Sequence, residues 1–485
     1  MNTSDNIKTK AFSGIIWKLM ERVGAQLVSL IVSVVLARIL LPEDYSVVSI
    51  VSIFFVFCNV FISGGLNTAL IQKKDSDIID YSTVLFVSLL MALILYVVMF
   101  FAAPYIASLY NNSILIPVIR VMSLMLFVTA YKGVVCAQVS SSLQFKNFFI
   151  STLVGTVISA FVGIGMAKRG YGAWALVAQQ MTNAILDSFI LTVTTRIRFK
   201  LVVSFSRLKA LFSYGWKIFV ASVISVIYDE IRPLIVGIRF SPVDLAYYNK
   251  GKSFPALFNS SLSDSISAVL FPVMSKFQDS KEEMLSVTRR YMKTSSYIIF
   301  PVLIGFLTVS DNFIKVVLTE KWLFASPYIK IFCVTFLFGL IQTGNLQVIR
   351  ASGRSDLILK LEIVKKSIYF IVIALFVILS DSPYLLAVSE LACMLIATLV
   401  NTYPNVSLVG YKYRHQVIDL LPNFMLAIAM GIVVALIGGL KLPTPALLVI
   451  QIVVGMGVYI GLSIVTRNSN FHYLLNFIKE MRYKA

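Results

Sequence analysis

The sequence predicts an all-α integral membrane protein of about fourteen transmembrane helices, arranged as two similar six-helix lobes followed by two further helices. Three observations predict it. Of 485 residues, 58% are hydrophobic and only 13% charged, and the mean hydropathy is +0.86, which leaves too few polar side chains to cover a water-facing surface. Apolar runs of about twenty residues, long enough for a helix to cross the hydrocarbon core, recur from end to end. The lysines and arginines gather in alternate connections between these runs.

Taken in order, the apolar segments fall at roughly 13–40, 45–70, 82–103, 114–137, 147–167, 172–194, 214–238, 246–274, 294–318, 327–349, 360–380, 384–403, 420–440 and 445–466. One set of connections carries Lys8 and Lys10, Lys73 and Lys74, Lys146, the run Arg196, Arg198, Lys200, Arg207 and Lys209, and the run Lys276, Lys281, Arg289 and Arg290. The same set continues with Arg350 and Arg354, Lys412 and Arg414, and the tail with Arg467, Lys479, Arg482 and Lys484. The opposite set holds only Lys168, Arg169, Arg239, Lys321 and Lys441, and none between Pro104 and Ser113. This bias puts both termini in the cytoplasm.

The formal charge of +19 is therefore topology charge and not a nucleic-acid surface. Cys58, Cys136, Cys333 and Cys393 lie singly in apolar stretches, without metal or redox spacing. The polar Met1–Lys10 leads into the first span with no small-residue cleavage pattern, so no removable signal peptide is expected. External loops are short, and the longest polar stretches, 195–213 and 275–293, both fall inside. His415 and His472, the two histidines, read as solvated cytoplasmic residues, so no catalytic residue, metal site or cofactor is expected.

Landmarks recur at an offset near 200 residues: Trp17-Lys18 with Trp216-Lys217, Pro42-x-Asp44 with Pro242-x-Asp244, and Asp75-Ser76 with Asp279-Ser280. Six spans return the chain to its starting side, so the halves are read as parallel copies about an axis along the membrane normal, with a cavity between them. The expected organisation is residues 1–194 as the first lobe, 195–213 as a cytoplasmic linker and 214–403 as the second lobe. Helices thirteen and fourteen occupy 404–466, and 467–485 is a cytoplasmic tail.

Ionisable residues within spans are costly and mark cavities, pairs or interfaces. Lys18 and Arg22 share a helix face near the inner end of span one, with Glu21 beside them. In span seven, Asp229, Glu230 and Arg232 lie some ten residues before the outer end, and Pro233 is expected to break the helix there, with Asp229 and Arg232 able to pair. Span eight opens with Tyr247, Tyr248, Asn249, Lys250, Gly251 and Lys252 and continues to Asp264, on a helix rich in Ser and Asn. Arg120, Asp187, Glu362, Lys365, Lys366 and Glu390 are isolated charges elsewhere, read as structural. The cationic excess around the expected cavity, Lys18, Arg22, Arg232, Lys250 and Lys252, suits an anionic phosphate or pyrophosphate head group. No G-x-x-x-x-G-K-[ST] loop occurs, so transport is expected to draw on an ion, potential or substrate gradient.

Four further stretches are Ala37-Arg38-Ile39-Leu40-Leu41-Pro42-Glu43-Asp44-Tyr45, Leu143-Gln144-Phe145-Lys146, Gly170-Tyr171-Gly172-Ala173-Trp174-Ala175-Leu176-Val177 and Leu270-Phe271-Pro272-Val273-Met274-Ser275. In this order and spacing the chain resembles, over nearly its whole length, the Wzx-like polysaccharide exporters of the colanic and teichuronic acid type. These belong to the multidrug/oligosaccharidyl-lipid/polysaccharide superfamily. The resemblance implies a V-shaped, MATE-like transporter in the bacterial plasma membrane. It implies a flippase that moves an undecaprenyl-pyrophosphate-linked oligosaccharide between leaflets by alternating access, working beside polysaccharide polymerase or assembly proteins. Coupling to H+ or Na+ is implied too, with Asp229, Glu230 and Asp264 as candidates, although no family coupling motif matches them.

Two other functions compete. A cation-coupled multidrug exporter of the same superfamily needs acids and aromatics facing organic cations, against the cationic excess here. A membrane polymerase or ligase needs a substantial external loop, which the hydropathy pattern lacks.

Overall fold

The computed structural model describes residue 24 and residues 26–484, apart from 74–75, 143, 196–198, 201, 279 and 380. Side chains are described except at 145, 261–269, 271–273, 275–276, 355, 477–478 and 480–484. No strand occurs among the described residues. The helices are α1 (Gln26–Ile39), α2 (Pro42–Ser63), α3 (Leu66–Gln72), α4 (Ile78–Leu109), α5 (Leu115–Met122), α6 (Met125–Ser141), α7 (Phe145–Lys168), α8 (Ala173–Thr195) and α9 (Phe205–Arg239). They continue as α10 (Pro242–Lys276), α11 (Lys281–Phe313), α12 (Ser326–Leu337), α13 (Gly339–Ala351), α14 (Ser355–Leu379), α15 (Pro383–Leu408), α16 (Tyr413–Ile437), α17 (Thr444–Val465) and α18 (Ser469–Lys484). The chain divides into two compact units between Ala246 and Tyr247.

Ten helical stretches among the described residues are long and apolar enough to cross a membrane. The sequence count is higher, and the difference has a physical source. Helices α8, α10 and α14 carry the polar and charged residues that set those spans apart, such as Asp187, Lys250 with Lys252, and Lys365 with Lys366. For the first span only the short α1 is described. Large apolar side chains point outward, as on α4, where Phe101 is 69% exposed, and on α16, where Leu436 is 74% exposed. Outward apolar faces of this kind are stable only against lipid.

Helix starts follow capping chemistry. Pro42 opens α2, and the Leu41 amide donates to Asp44 Oδ2 at 2.9 Å. Pro242 opens α10, where Ser241 Oγ donates to Asp244 Oδ2 at 2.6 Å and the Asp244 amide donates back to Ser241 Oγ at 3.0 Å. The Pro-x-Asp landmark stands at a helix start both times, with Asp44 accepting from a backbone amide and Asp244 from a hydroxyl. Asp77 caps α4 by accepting from the Ile79 and Asp80 amides, both at 3.0 Å.

Three apolar segments are interrupted where the hydropathy pattern is smooth. Gly64 and Gly65, with φ of +49° and +71°, part α2 from α3. The bends at Ser123–Leu124 and at Phe338 part α5 from α6 and α12 from α13. The polar stretches expected as loops are largely helical: α9 begins at Phe205 and α11 at Lys281. Charged first turns lower hydropathy without interrupting a helix. The break expected at Pro233 is also revised, because α9 runs as helix from Phe205 to Arg239 with the proline inside it. The expected tail contains α18. Landmarks Trp17, Lys18, Asp75 and Asp279 lie outside the described residues.

Helix α9 packs on α2, α3 and α4 of the first unit. Its Gly215 meets Gly65 so closely that a Cβ on Gly65 would lie closer than 3.0 Å to the Gly215 backbone. In the second unit α11 packs along α16 and α12, and α14 and α16 flank α15 and α17 respectively.

Candidate functional site

The capped start of α10 leads within three turns to the lysine pair. Gly251 allows the helix to come close, since a Cβ there would overlap the Tyr328 side chain and lie 2.9 Å from the Ala325 carbonyl oxygen. Tyr248 and Lys252, four residues apart, share one helix face. Lys252 Nζ lies 2.8 Å from Glu390 Oε1 on α15, and the Tyr248 hydroxyl donates to Glu390 Oε2 at 2.9 Å. The Tyr248 ring is fully buried, edge-on to Tyr328 and Phe332. Lys252 Nζ lies 5.4 Å from the Phe332 ring centroid.

Lys250 is buried, its Nζ 5.6 Å from the Trp322 ring centroid and 5.9 Å from that of Phe254. Trp322 is itself fully buried, on the short 3₁₀ turn Glu320–Ala325. Rings at these distances stabilise an ammonium through their negative faces. The reading of Glu390 as an isolated charge is corrected here: it is the carboxylate partner of Lys252. Spacing in sequence hid this pair, because the partners lie 138 residues apart.

An apolar cavity of about 490 Å³ opens in the same unit, between α10, α11, α16 and α17. Phe258, Pro301, Phe306, Met430, Gly455 and Tyr459 are among its walls. Gly305 and Gly455 line it as well, and a Cβ on Gly455 would press on Val434 at 3.0 Å.

In the first unit, Arg232 of α9 is 1% exposed and donates from Nη2 to the Tyr228 hydroxyl at 3.3 Å, its guanidinium 4.8 Å from that ring centroid. Asp229 is exposed and accepts from Ser225 Oγ at 3.5 Å, while Glu230 is half-buried. Lys18 and Arg22, and the Asp264 side chain, lie outside the described residues.

Three polar constellations escaped the sequence reading. Lys132 Nζ lies 2.5 Å from Asp187 Oδ2, joining α6 to α8. Gly155 makes room for this part of α8, since a Cβ there would lie 3.2 Å from Asn183 Oδ1 and 3.3 Å from Asp187 Cβ. Arg289 donates twice to Asp419, from Nε and Nη2 at 2.7 Å each, and Lys293 approaches the same carboxylate at 3.1 Å. Asn345, Thr402, Asn405 and Gln416 form a buried amide and hydroxyl network between α13, α15 and α16. Opposite charges in different apolar segments, Lys132 and Asp187, were the available signal for the first.

The turns also explain two of the sequence stretches. Gly172, at φ +53°, faces Asp44, whose Oδ1 would lie 2.7 Å from a Cβ at that position. The α1–α2 turn and the α7–α8 turn therefore meet through a glycine and a capping carboxylate.

A family model described as "Polysaccharide biosynthesis protein" matches residues 35–327. The chain belongs to this polysaccharide biosynthesis family. The matched stretch contains Asp44, Gly172, Lys250 and Lys252, whereas Glu390 lies beyond it. An uncharacterized membrane protein in the cps region of Klebsiella pneumoniae is 23% identical over 492 residues, covering 99% of this chain and 100% of that one. The lipopolysaccharide biosynthesis protein WzxC of Escherichia coli (strain K12) is 22% identical over 446 residues, 88% of this chain and 89% of that one. The lipid II flippase MurJ, in an inward closed conformation, matches with a TM-score of 0.75 over 94% of this chain and 99% of that one. At 16% identity this last likeness is one of fold.

Proposed function

We propose that this member of the polysaccharide biosynthesis family is a flippase for an undecaprenyl-pyrophosphate-linked oligosaccharide repeat unit. It would work in the bacterial plasma membrane, with both termini in the cytoplasm as the loop charges favour. The observation that carries the reading is the aromatic-walled lysine pair Lys250 and Lys252, held inside an apolar helical unit. Buried ammonium groups in a membrane protein are expensive and mark a path for anions. A pyrophosphate brings charge to match them, and it can compete with Glu390 for Lys252. The apolar cavity bounded by Phe306 and Tyr459 has the chemistry of a polyprenyl chain.

The names of the relatives support the same direction, with WzxC described as a lipopolysaccharide biosynthesis protein and MurJ as a lipid II flippase. Alternating access between lobes read as 1–194 and 214–403 needs no covalent step, so the protein is proposed as a transporter and not an enzyme. Coupling to H+ or Na+ through Asp229 or Glu230, and association with polymerase or assembly proteins, complete the proposal.

The test is native mass spectrometry of protein gently extracted from its own host. A co-purifying polyprenyl pyrophosphate bearing sugars, lost in the Lys250→Ala/Lys252→Ala variant, is expected. Ordinary phospholipid alone, with tight binding of organic cations, would move the drug-exporter reading ahead.

A further inference from the structure

A second cluster of cations lies away from the lysine pair, in the second unit where α11 and α18 meet. Here a cleft of about 530 Å³ is walled by Ser286, Arg289, Arg290, Lys293, Asn470 and Tyr473. Its frame is well tied. Asn423 on α16 donates to the Lys293 carbonyl and to Ser296 Oγ, both at 2.8 Å, and its Oδ1 accepts from Asn468 at 3.1 Å and Asn470 at 3.2 Å. The start of α18 is thereby fixed against α11 and α16.

The charges do not cancel. Asp419 is one carboxylate shared between Arg289 and Lys293. Arg290 stacks its guanidinium 3.7 Å from the Tyr473 ring centroid, and no ion pair to it occurs among the described residues. Glu282 is the acid on the wall among the described residues. Among the described residues, three cations against two carboxylates leave a surplus of one positive charge, which matches a phosphodiester. The stacked guanidinium keeps its outer N–H groups in a planar fork suited to phosphate oxygens, and Ser286 and Asn470 add neutral polar groups.

The position favours a lipid. Three residues separate the end of α17, a candidate span, at Val465 from the start of α18 at Ser469. Tyr473 and Leu475 are 36% and 38% exposed on it, an aromatic and an apolar residue of the kind that settle at a bilayer boundary. Basic pockets at the cytoplasmic ends of membrane helices recognise anionic head groups. We propose that this cleft binds the phosphate of an anionic phospholipid, with Arg290 as its main ligand. Only the choice of leaflet rests on the orientation given under the proposed function; the binding does not depend on export.

The experiment uses the full chain, delipidated in detergent and titrated with phosphatidylglycerol, phosphatidylcholine or inorganic phosphate while bound lipid is counted by native mass spectrometry. The wild type is expected to retain phosphatidylglycerol in preference to phosphatidylcholine, and Arg290→Ala to lose roughly tenfold in that affinity. Arg290 is exposed, so the variant is expected to elute as the folded protein. Inorganic phosphate that displaces phosphatidylglycerol and also stabilises the wild type but not Arg290→Ala would overturn the lipid source while keeping the phosphate chemistry. Equal retention of the two lipids, or phosphatidylglycerol binding unchanged in Arg290→Ala, overturns the site. Neither result bears on whether an oligosaccharide lipid is moved, which the Lys250/Lys252 variant reports separately.

Discussion

Lys252 and Glu390 form an ion pair at 2.8 Å between α10 and α15, with the Tyr248 hydroxyl on the same carboxylate. Breaking a buried pair by removing one partner costs about 3–5 kcal/mol, and the 31% exposure of Lys252 reduces this to about 2 kcal/mol for Glu390→Ala. Replacing both members by apolar residues removes the stranded charge. Lys252→Met with Glu390→Leu is therefore expected to recover most of the thermal stability lost in Glu390→Ala while still failing to export. Thermal unfolding and an export assay on the same variants separate the two roles. A double variant that exports normally would remove Lys252 from the head-group path.

Gly65 and Gly215 bring the turn between α2 and α3 against the backbone of α9. Alanine at Gly65 adds a side chain to a residue at φ +71° and drives it into the backbone of α9. Left-handed strain of about 1–3 kcal/mol and overpacking of similar size act together there. Gly65→Ala is expected to lower the unfolding temperature and the yield sharply. Gly165→Ala, within α7 and with open space around its Cβ, is expected to be neutral or to stabilise by about 0.5–1 kcal/mol. Comparable behaviour of the two variants in a melting experiment would contradict the contact.

The fold class was legible because apolar run length and loop charge are local properties, and the Pro-x-Asp landmarks at 42 and 242 mark real helix starts. The breaks at Gly64–Gly65, Ser123 and Phe338 were not legible, because hydropathy is blind to a turn made inside an apolar run. At the candidate site, the polarity of α10 singled out Lys250 and Lys252. The partners were hidden, since Glu390 on α15 and Trp322 on the 3₁₀ turn are brought in by tertiary packing. The same applies to Lys132 with Asp187 and to Arg289 with Asp419, whose members lie 55 and 130 residues apart.

The N-cap of α4 supplies a pH-dependent contact. Arg207 beside Asp77, with help from the Asp80 amide, holds the Asp77 carboxyl down at about 2. A depressed folded-state value means that the stabilisation is present above the unfolded value near 4 and is lost as the pH falls towards 2. Asp77→Asn keeps an acceptor for the helix amides but discards the ion pair. The pair is exposed and screened by solvent, so the readout is the slope of melting temperature against pH between 4 and 2. That slope is expected to be shallower in Asp77→Asn, and identical slopes would remove the contact from the acid response.

Asp419 offers a test in which stability and ligand binding move in opposite directions. Its side chain is 1% exposed and accepts from Arg289, Lys293 and Tyr411. Asn at this position leaves the two cations without a carboxylate, but both are partly exposed, so the expected loss is about 2 kcal/mol and not the full cost of a buried pair. Tyr411→Phe removes one hydrogen bond from a carboxylate that keeps its other partners, and about 1 kcal/mol is expected. The order of melting temperatures should be wild type, then Tyr411→Phe, then Asp419→Asn. The same Asp419→Asn change raises the positive surplus of the neighbouring cleft, since Arg289 and Lys293 line it. Retention of phosphatidylglycerol should therefore rise in the less stable variant, whereas a purely structural cluster would lose lipid and stability together.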